Sequence, residues 1–255
     1  MTLCAEHCSL IYTGKTLLRD ISLQLQSGEL LAVVGPNGAG KSSLVGLLAG
    51  TTTPTTGSVR LDEDFYGDMT LASRAKRLAV LPQNTSLEFP FKVDEIIQMG
   101  RMPHGGSARL NAPMRAEIAT QLGLEVLLER VYTSLSGGEK QRTQIARVLC
   151  QLWDCLPGGY LLFDEPTAAL DIAHQVLFMN LLGQLTKKGA GVLLVMHDIN
   201  LAARYADRLL LLKEGEVVAT GSPEEVLTTD RIKAAFGVTP EIVQLQNGSR
   251  QWLLY

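Results

Sequence analysis

Apolar residues along this chain fall into two rhythms. Alternating runs over residues 3–11 and 17–25 predict a pair of antiparallel strands joined across Tyr12, Thr13, Gly14 and Lys15. Short, wholly apolar runs at 30–34, 160–163 and 191–196 predict strands buried on both faces. Residues 58–61 and 78–81 are further strand candidates, and 209–213 with 217–220 read as a hairpin across Glu214 and Gly215. Helical spacing marks 42–49, 93–99, 114–123, 141–153, 172–187 and 199–205. Between 84 and 159 no convincing strand intervenes, so this stretch reads as a helical subdomain inserted into a sheet-based core, with a small helical and extended tail from 221 to 255. Strands alternating with helices predict a largely parallel α/β core over 1–83 and 160–220.

Composition narrows the picture. The 255 residues are 46% hydrophobic and 19% charged, which a large buried sheet explains. A net charge of −3 gives no bulk drive toward nucleic acid or an anionic membrane. No apolar run approaches the roughly 20 residues needed to cross a bilayer, so the chain reads as cytosolic or peripheral. Four cysteines occur without zinc or redox spacing and are expected as reduced thiols. Cys4, His7 and Cys8 lie close in sequence, but a strand would turn neighbouring side chains to opposite faces.

Three segments carry chemistry. Gly35, Pro36, Asn37, Gly38, Ala39, Gly40, Lys41 and Ser42 follow a predicted strand and precede a predicted helix, the context a phosphate-binding loop requires. Its glycines let backbone amides approach a phosphate, and the helix N-terminus favours the negative charge. Lys41 would bridge the β- and γ-phosphates of a nucleotide, Ser42 would ligate Mg²⁺, and Ser43 is a candidate α-phosphate contact. Asp164 and Glu165 end an apolar strand, at the sheet edge where α/β proteins bind ligands. Asp164 can hold the Mg²⁺ shell, and Glu165 can act as general base toward water. The third segment, Leu135, Ser136, Gly137, Gly138, Glu139, Lys140 and Gln141, offers a second anion-binding helix terminus before the helix expected at 141–153.

Together these segments resemble the nucleotide-binding subunit of an ATP-binding cassette (ABC) transporter, over nearly the whole chain. The order of motifs carries the likeness: Gly35 to Ser42, then Gln83, Ser136 with Gly137 and Gly138, Asp164 with Glu165, and His197. Tyr12 matches the aromatic that stacks on adenine in that family, and Ala169, Leu170 and Asp171 match the loop after the catalytic pair. Glu139 departs from the commoner glutamine of the signature. The resemblance implies an α/β P-loop NTPase core with a mostly parallel sheet, an antiparallel β subdomain and the inserted helical subdomain. It further implies ATP with Mg²⁺ and a head-to-tail pair of copies. Gln83 would sense Mg²⁺ and water, His197 would hold the γ-phosphate, and Ser136 with Gly137 and Gly138 would cap the γ-phosphate held by the other copy.

The segment 89–105 resembles that of iron-chelate and cobalamin importers, nearest to those that import haem. Two separate permease subunits, and indirectly a periplasmic haem-binding protein, are then the implied partners, at the cytoplasmic face of a bacterial inner membrane. Phe89, Phe91, Met99 and Met102 offer adaptable apolar contact for such a permease, or else pack inside the helical subdomain. A ferric-siderophore or cobalamin importer is the alternative within transport. The alternative of another class is a non-transport ATPase acting on nucleic acid or the ribosome, which the single domain and absence of a basic tract disfavour.

Overall fold

The computed structural model describes residues 1–85, 87–105, 109–244 and 251–254. The first elements are strands β1 (Thr2–Tyr12), β2 (Lys15–Gln26) and β3 (Leu30–Val34), followed by helix α1 (Lys41–Ala49). Strands β4 (Thr56–Leu61) and β5 (Asp64–Phe65), the short helix α2 (Leu71–Ala75) and β6 (Leu78–Leu81) come next. Three helices follow, α3 (Val93–Met99), α4 (Ala112–Gln121) and α5 (Gly137–Leu152). The core resumes with β7 (Tyr160–Asp164), α6 (Ile172–Lys187), β8 (Gly191–Val195), α7 (Ile199–Tyr205), β9 (Arg208–Lys213) and β10 (Glu216–Gly221). The remainder is α8 (Pro223–Val226), α9 (Thr229–Phe236), β11 (Glu241–Gln244) and β12 (Gln251–Leu254).

The strands form two main sheets. One is antiparallel, in the order β2-β1-β4-β5; the other runs β10-β9-β3-β8-β7-β6. All pairings from β9 to β6 are parallel, and β10 adds antiparallel to β9 at the edge. The two strand candidates at 58–61 and 78–81 therefore part company, the first entering the antiparallel sheet and the second the parallel one. Strands β3, β7 and β8 are buried along their whole length. Period-2 alternation sends their side chains into two separate cores. Ala32, Phe163 and Leu194 face a helical layer that includes Val148 of α5 and Phe178 of α6. Leu31, Leu162 and Leu193 face Leu44 and Leu47 of α1 together with Leu3, Ile21 and Leu25 of the antiparallel sheet.

Several boundaries differ from the pattern, for local reasons. Helix α4 starts two residues before the expected Met114 because Pro113 sits in its first turn, where a missing N–H costs nothing. It ends before Gly123, which has a left-handed φ of 61°. Helix α5 begins at Gly137 rather than Gln141. Ser136 caps it through Glu139 N, and the Glu139 carboxylate returns to Ser136 N at 2.8 Å. That reciprocal cap starts a helix on two glycines whose intrinsic propensity opposes one. All four cysteines are free, with Cys4 and Cys8 turned into the core and His7 exposed beside Asp20. No helix among the described residues is long and apolar enough to cross a membrane.

Phe163 of β7 and Phe178 of α6 meet edge to face, with ring centroids 5.3 Å apart, and both are fully buried. Phe178→Ala should therefore lower stability by about 3–5 kcal/mol, as large truncations in close-packed cores do. Denaturant unfolding of the purified variant checks this, and a loss below about 1 kcal/mol would place the contact outside the stabilising core.

Candidate active site

Register decides where the chemistry collects. Asp164 pairs with Val195, Val33 with Val195, and Leu81 with Phe163, so β3, β6, β7 and β8 end along one edge. From that edge leave the phosphate loop after β3, Gln83 after β6, Glu165 after β7 and His197 after β8. The four segments lie far apart in sequence and adjacent in space.

A cavity of about 730 Å³ opens there, lined by Asn37, Gly38, Gly40, Lys41, Ser42, Ser43, Gln83, Glu165 and His197. The loop wraps tightly around its lysine. Lys41 is buried, and its Nζ donates to Gly35 O at 2.8 Å and Pro36 O at 3.0 Å. Burial pulls the Lys41 ammonium below its ordinary pKa, opposed by the nearby carboxylates of Glu165 and Asp164. Gly40 is left-handed at φ 104°, and a Cβ on it would meet Leu17 O at 2.8 Å. Only glycine permits that approach of the loop to β2.

Glu165 is gripped from two sides. Gln83 Nε2 donates to its Oε2 at 2.9 Å, and His197 Nε2 lies 2.6 Å from its Oε1. The following residue, Asp198, caps α7 through Leu201 N, which leaves the His197 imidazole free to reach the carboxylate. Glu165 also holds a left-handed backbone at φ 55°, uncommon for a residue with a side chain. A carboxylate fixed between two donors at a cavity wall can accept a proton from water placed in that cavity.

Asp164 sits one residue earlier and is 3% exposed. Burial raises its pKa first of all, and the Glu165 charge adds to this, while a hydrogen bond from Ser42 and the Lys41 charge oppose it. Its Oδ1 is buried without a hydrogen-bond partner. An orphaned carboxylate oxygen beside a serine hydroxyl fits the all-oxygen donor set that Mg²⁺ takes.

Not every expected residue lines the cavity. Gly35 and Pro36 border a neighbouring space of about 340 Å³ against Ile232 and Phe236 of α9, and Ala39 is buried beneath the loop. Tyr12 pairs with Lys15 across the β1–β2 turn and is 68% exposed. Lys15 lines the cavity and Tyr12 does not. Ser136, Gly137 and Gly138 lie outside it, at the N-terminus of α5. The Ser136 hydroxyl donates to Glu139 Oε2 at 2.8 Å, so it must turn to reach any other acceptor. Lys15, Thr16, Leu17 and Gly215 were missed as lining residues. Gly215 N donates to Ala39 O at 2.9 Å, tying the β9–β10 turn to the phosphate loop. A turn signal at Glu214 and Gly215 was visible in sequence, but its long-range partner was not.

Residues 18–168 match the family model described as ABC transporter. This chain belongs to the ABC transporter family. It is 47% identical to the hemin import ATP-binding protein HmuV of Pseudomonas aeruginosa, over 91% of each chain. It is also 47% identical to the protein of the same name from Gloeobacter violaceus, covering 88% of this chain and 83% of that one. Among solved structures, the ATP-binding subunit of an ABC transporter superposes with a TM-score of 0.79 at 26% identity, over 94% of this chain and 95% of the other. A bacterial ABC transporter cassette solved as a dimer gives 0.75 at 27% identity, over 87% and 98%. The expected α/β ABC-type ATPase fold is thus found, and as an ABC ATPase the chain binds nucleotide and couples its hydrolysis to transport.

Asp164 yields a prediction with a definite sign. Its folded pKa is raised above the unfolded value of about 3.9. The native state therefore binds the proton more tightly, and this contribution to stability is fully present only below the unfolded pKa. It is lost as pH rises through the folded value. Removing the charge with Asp164→Asn should raise the melting temperature at pH 7 without nucleotide, and the gain should shrink as pH falls toward 4. A variant less stable than the parent at pH 7 would show that the Ser42 hydrogen bond outweighs the cost of burial.

Proposed function

We propose that this chain is the ATP-hydrolysing motor of an importer that carries haem across the inner membrane of a bacterium. The observation that carries the hydrolytic reading is the clamp on Glu165, held by Gln83 and His197 across a cavity that Lys41 and Ser42 also line. The cargo reading is supported by 47% identity, over nine-tenths of both chains, to a protein named for hemin import.

In this reading the phosphate loop, Gly35 to Ser43, wraps the nucleotide phosphates with its amides, and Lys41 leaves its two carbonyl partners to meet the β- and γ-phosphates. Tyr12 stacks on adenine from the rim. Ser42 and Asp164 would hold Mg²⁺ with Gln83 beside them, and the ion would supply charge neutralisation on the β- and γ-phosphates. Glu165 orients the attacking water and takes its proton, while His197 turns from Glu165 toward the γ-phosphate.

Ser136, Gly137 and Gly138 do not line the cavity of their own chain, which supports their serving the nucleotide of a second copy. Two chains head to tail would then enclose two ATP molecules, making an interface that ATP itself stabilises. We divide the chain accordingly into a nucleotide-binding core with its antiparallel β subdomain (1–83 and 160–220), a helical subdomain (84–159) and a C-terminal tail (221–255).

The helical subdomain would receive two permease subunits, placing the motor at the cytoplasmic face of the membrane, with a periplasmic haem-binding protein delivering cargo on the far side. Phe89 and Met102 are 69% and 78% exposed and suit such a contact, whereas Phe91 packs against the helical core. Met99 and Met102 border a cavity of about 270 Å³ on that surface.

Glu165→Gln keeps the shape and one acceptor oxygen for the two donors but replaces the other oxygen with an amide NH₂ and removes the base. Turnover should fall by about 10²- to 10⁴-fold while ATP-trapped dimers accumulate on size exclusion. Normal turnover would remove Glu165 as base. For cargo, the chain is reconstituted in proteoliposomes with a permease it binds and offered haem, a ferric siderophore or cobalamin. Haem uptake that requires ATP is expected. Uptake of another cargo would reassign the substrate, and ATPase stimulation by nucleic acid would overturn the transport reading.

A further inference from the structure

The first turn of α5 lies against the segment that follows Glu165. A Cβ on Gly138 would sit 3.0 Å from Ala169 O, so the glycine sets how closely helix and loop approach. Less than one turn onward, Gln141 is half-buried and its Nε2 donates to Pro166 O at 3.0 Å. Pro166 directly follows Glu165, whose left-handed backbone persists only because its surroundings enforce it. Proline has a fixed φ and no N–H. Its carbonyl is thus the handle by which the turn can be held, and a pull on it passes to Glu165 instead of being absorbed by rotation at φ.

The other side of the turn is fixed by α6. Gln175 Nε2 donates to Thr167 O at 3.2 Å and to Leu170 O at 3.1 Å. The segment carrying the catalytic carboxylate therefore hangs between two side-chain amides, one from each helix. The helices differ in what their N-termini present: α5 begins with Ser136 and its two glycines.

We infer that Gln141 is the positioning residue that couples the two hydrolysis sites of the dimer. The inference rests on the head-to-tail arrangement proposed above. In that arrangement Ser136 engages the γ-phosphate held by the other copy, and Gln141 lies five residues along the same helix. An α-helix rises about 1.5 Å per residue and moves as one body over so short a span. Docking of the α5 terminus onto the partner's nucleotide then shifts Gln141, which carries Pro166 O with it and sets Glu165 against water in its own cavity. Occupancy of one site is read out at the base of the other, through one hydrogen bond.

The test uses the full-length chain. Gln141→Met keeps the length and removes the donor, Gln141→Glu keeps the shape and replaces the donor with acceptors, and Gln141→Lys restores a donor of similar reach. ATPase rate is measured against ATP concentration, with thermal melting to confirm folding. Two coupled sites allow a Hill coefficient of up to about 2. The parent should lie well above 1, the Met and Glu variants should fall to about 1, and Lys should recover part of the difference. ATP-trapped dimers should still form when Gln141→Met is combined with Glu165→Gln, because the relay is not needed for docking. A Hill coefficient unchanged in a folded Met or Glu variant, or a parent value already at about 1, overturns the coupling. If Glu165→Gln alone traps no dimer, the dimer reading has failed first and the relay falls with it; if it traps one while the Hill coefficient is indifferent to Gln141, only the relay has failed.

Discussion

The register of the parallel strands is the constraint on which this molecule depends. Strands β3, β7 and β8 bury every residue on both faces, so a slip of one residue would exchange two complete core surfaces. With Val33 and Asp164 both opposite Val195, the loop of Lys41, the carboxylate of Glu165 and the imidazole of His197 must emerge side by side. Neither Glu165 nor His197 needs a local device to find the other. Their 2.6 Å contact is a consequence of packing Leu162 on one face of the sheet and Phe163 on the other.

The same burial creates the electrostatic tension of the site. Asp164 and Lys41 are taken out of water at the sheet edge, and each has its pKa moved toward the neutral form. Asp164 is left with an oxygen that has no partner, and Lys41 satisfies its charge on two carbonyls of its own loop. Both arrangements are stable enough to persist in a well-packed core, yet each is better satisfied by what the cavity is shaped to receive. A divalent ion suits the orphaned carboxylate, and a phosphate suits the ammonium. Under the proposed function, the poor solvation of these two groups would contribute to affinity, because binding would relieve a cost that folding imposed.

How much of this was legible in the sequence follows from how local each signal is. The buried strands showed as apolar runs, the phosphate loop as glycines between strand and helix, and Glu165 and His197 as polar residues just beyond strand ends. Each signal is contained within a dozen residues. The start of α5 was misplaced because the low helix propensity of Gly137 and Gly138 masks the Ser-x-x-Glu spacing of Ser136 and Glu139, a capping-box signature that the sequence does carry. Lys15, Thr16, Leu17 and Gly215 were missed because they reach the cavity only through the close approach of Gly40 to β2 and the hydrogen bond of the phosphate loop to the β9–β10 turn. Nothing in the residues near Gln141 announces Pro166 as its partner, 25 positions away.

The helical layer gives these contacts a common purpose. Helix α5 buries Ile145, Val148, Leu149 and Leu152 against the core that also receives Phe163, so its C-terminal half is seated on the layer that covers the strand carrying Asp164. Its other end stands clear of the cavity, with Ser136 already engaged by Glu139. A helix anchored at one end to the catalytic strand and open at the other transmits what its open end meets. The glycine at 138 lets the helix lie flush on the loop after Glu165, and in the proposed dimer the amides of both glycines would be open to an incoming anion. A bulkier residue at 138 would separate helix from loop, which makes this segment an internal joint as well as the proposed surface for the partner's phosphate.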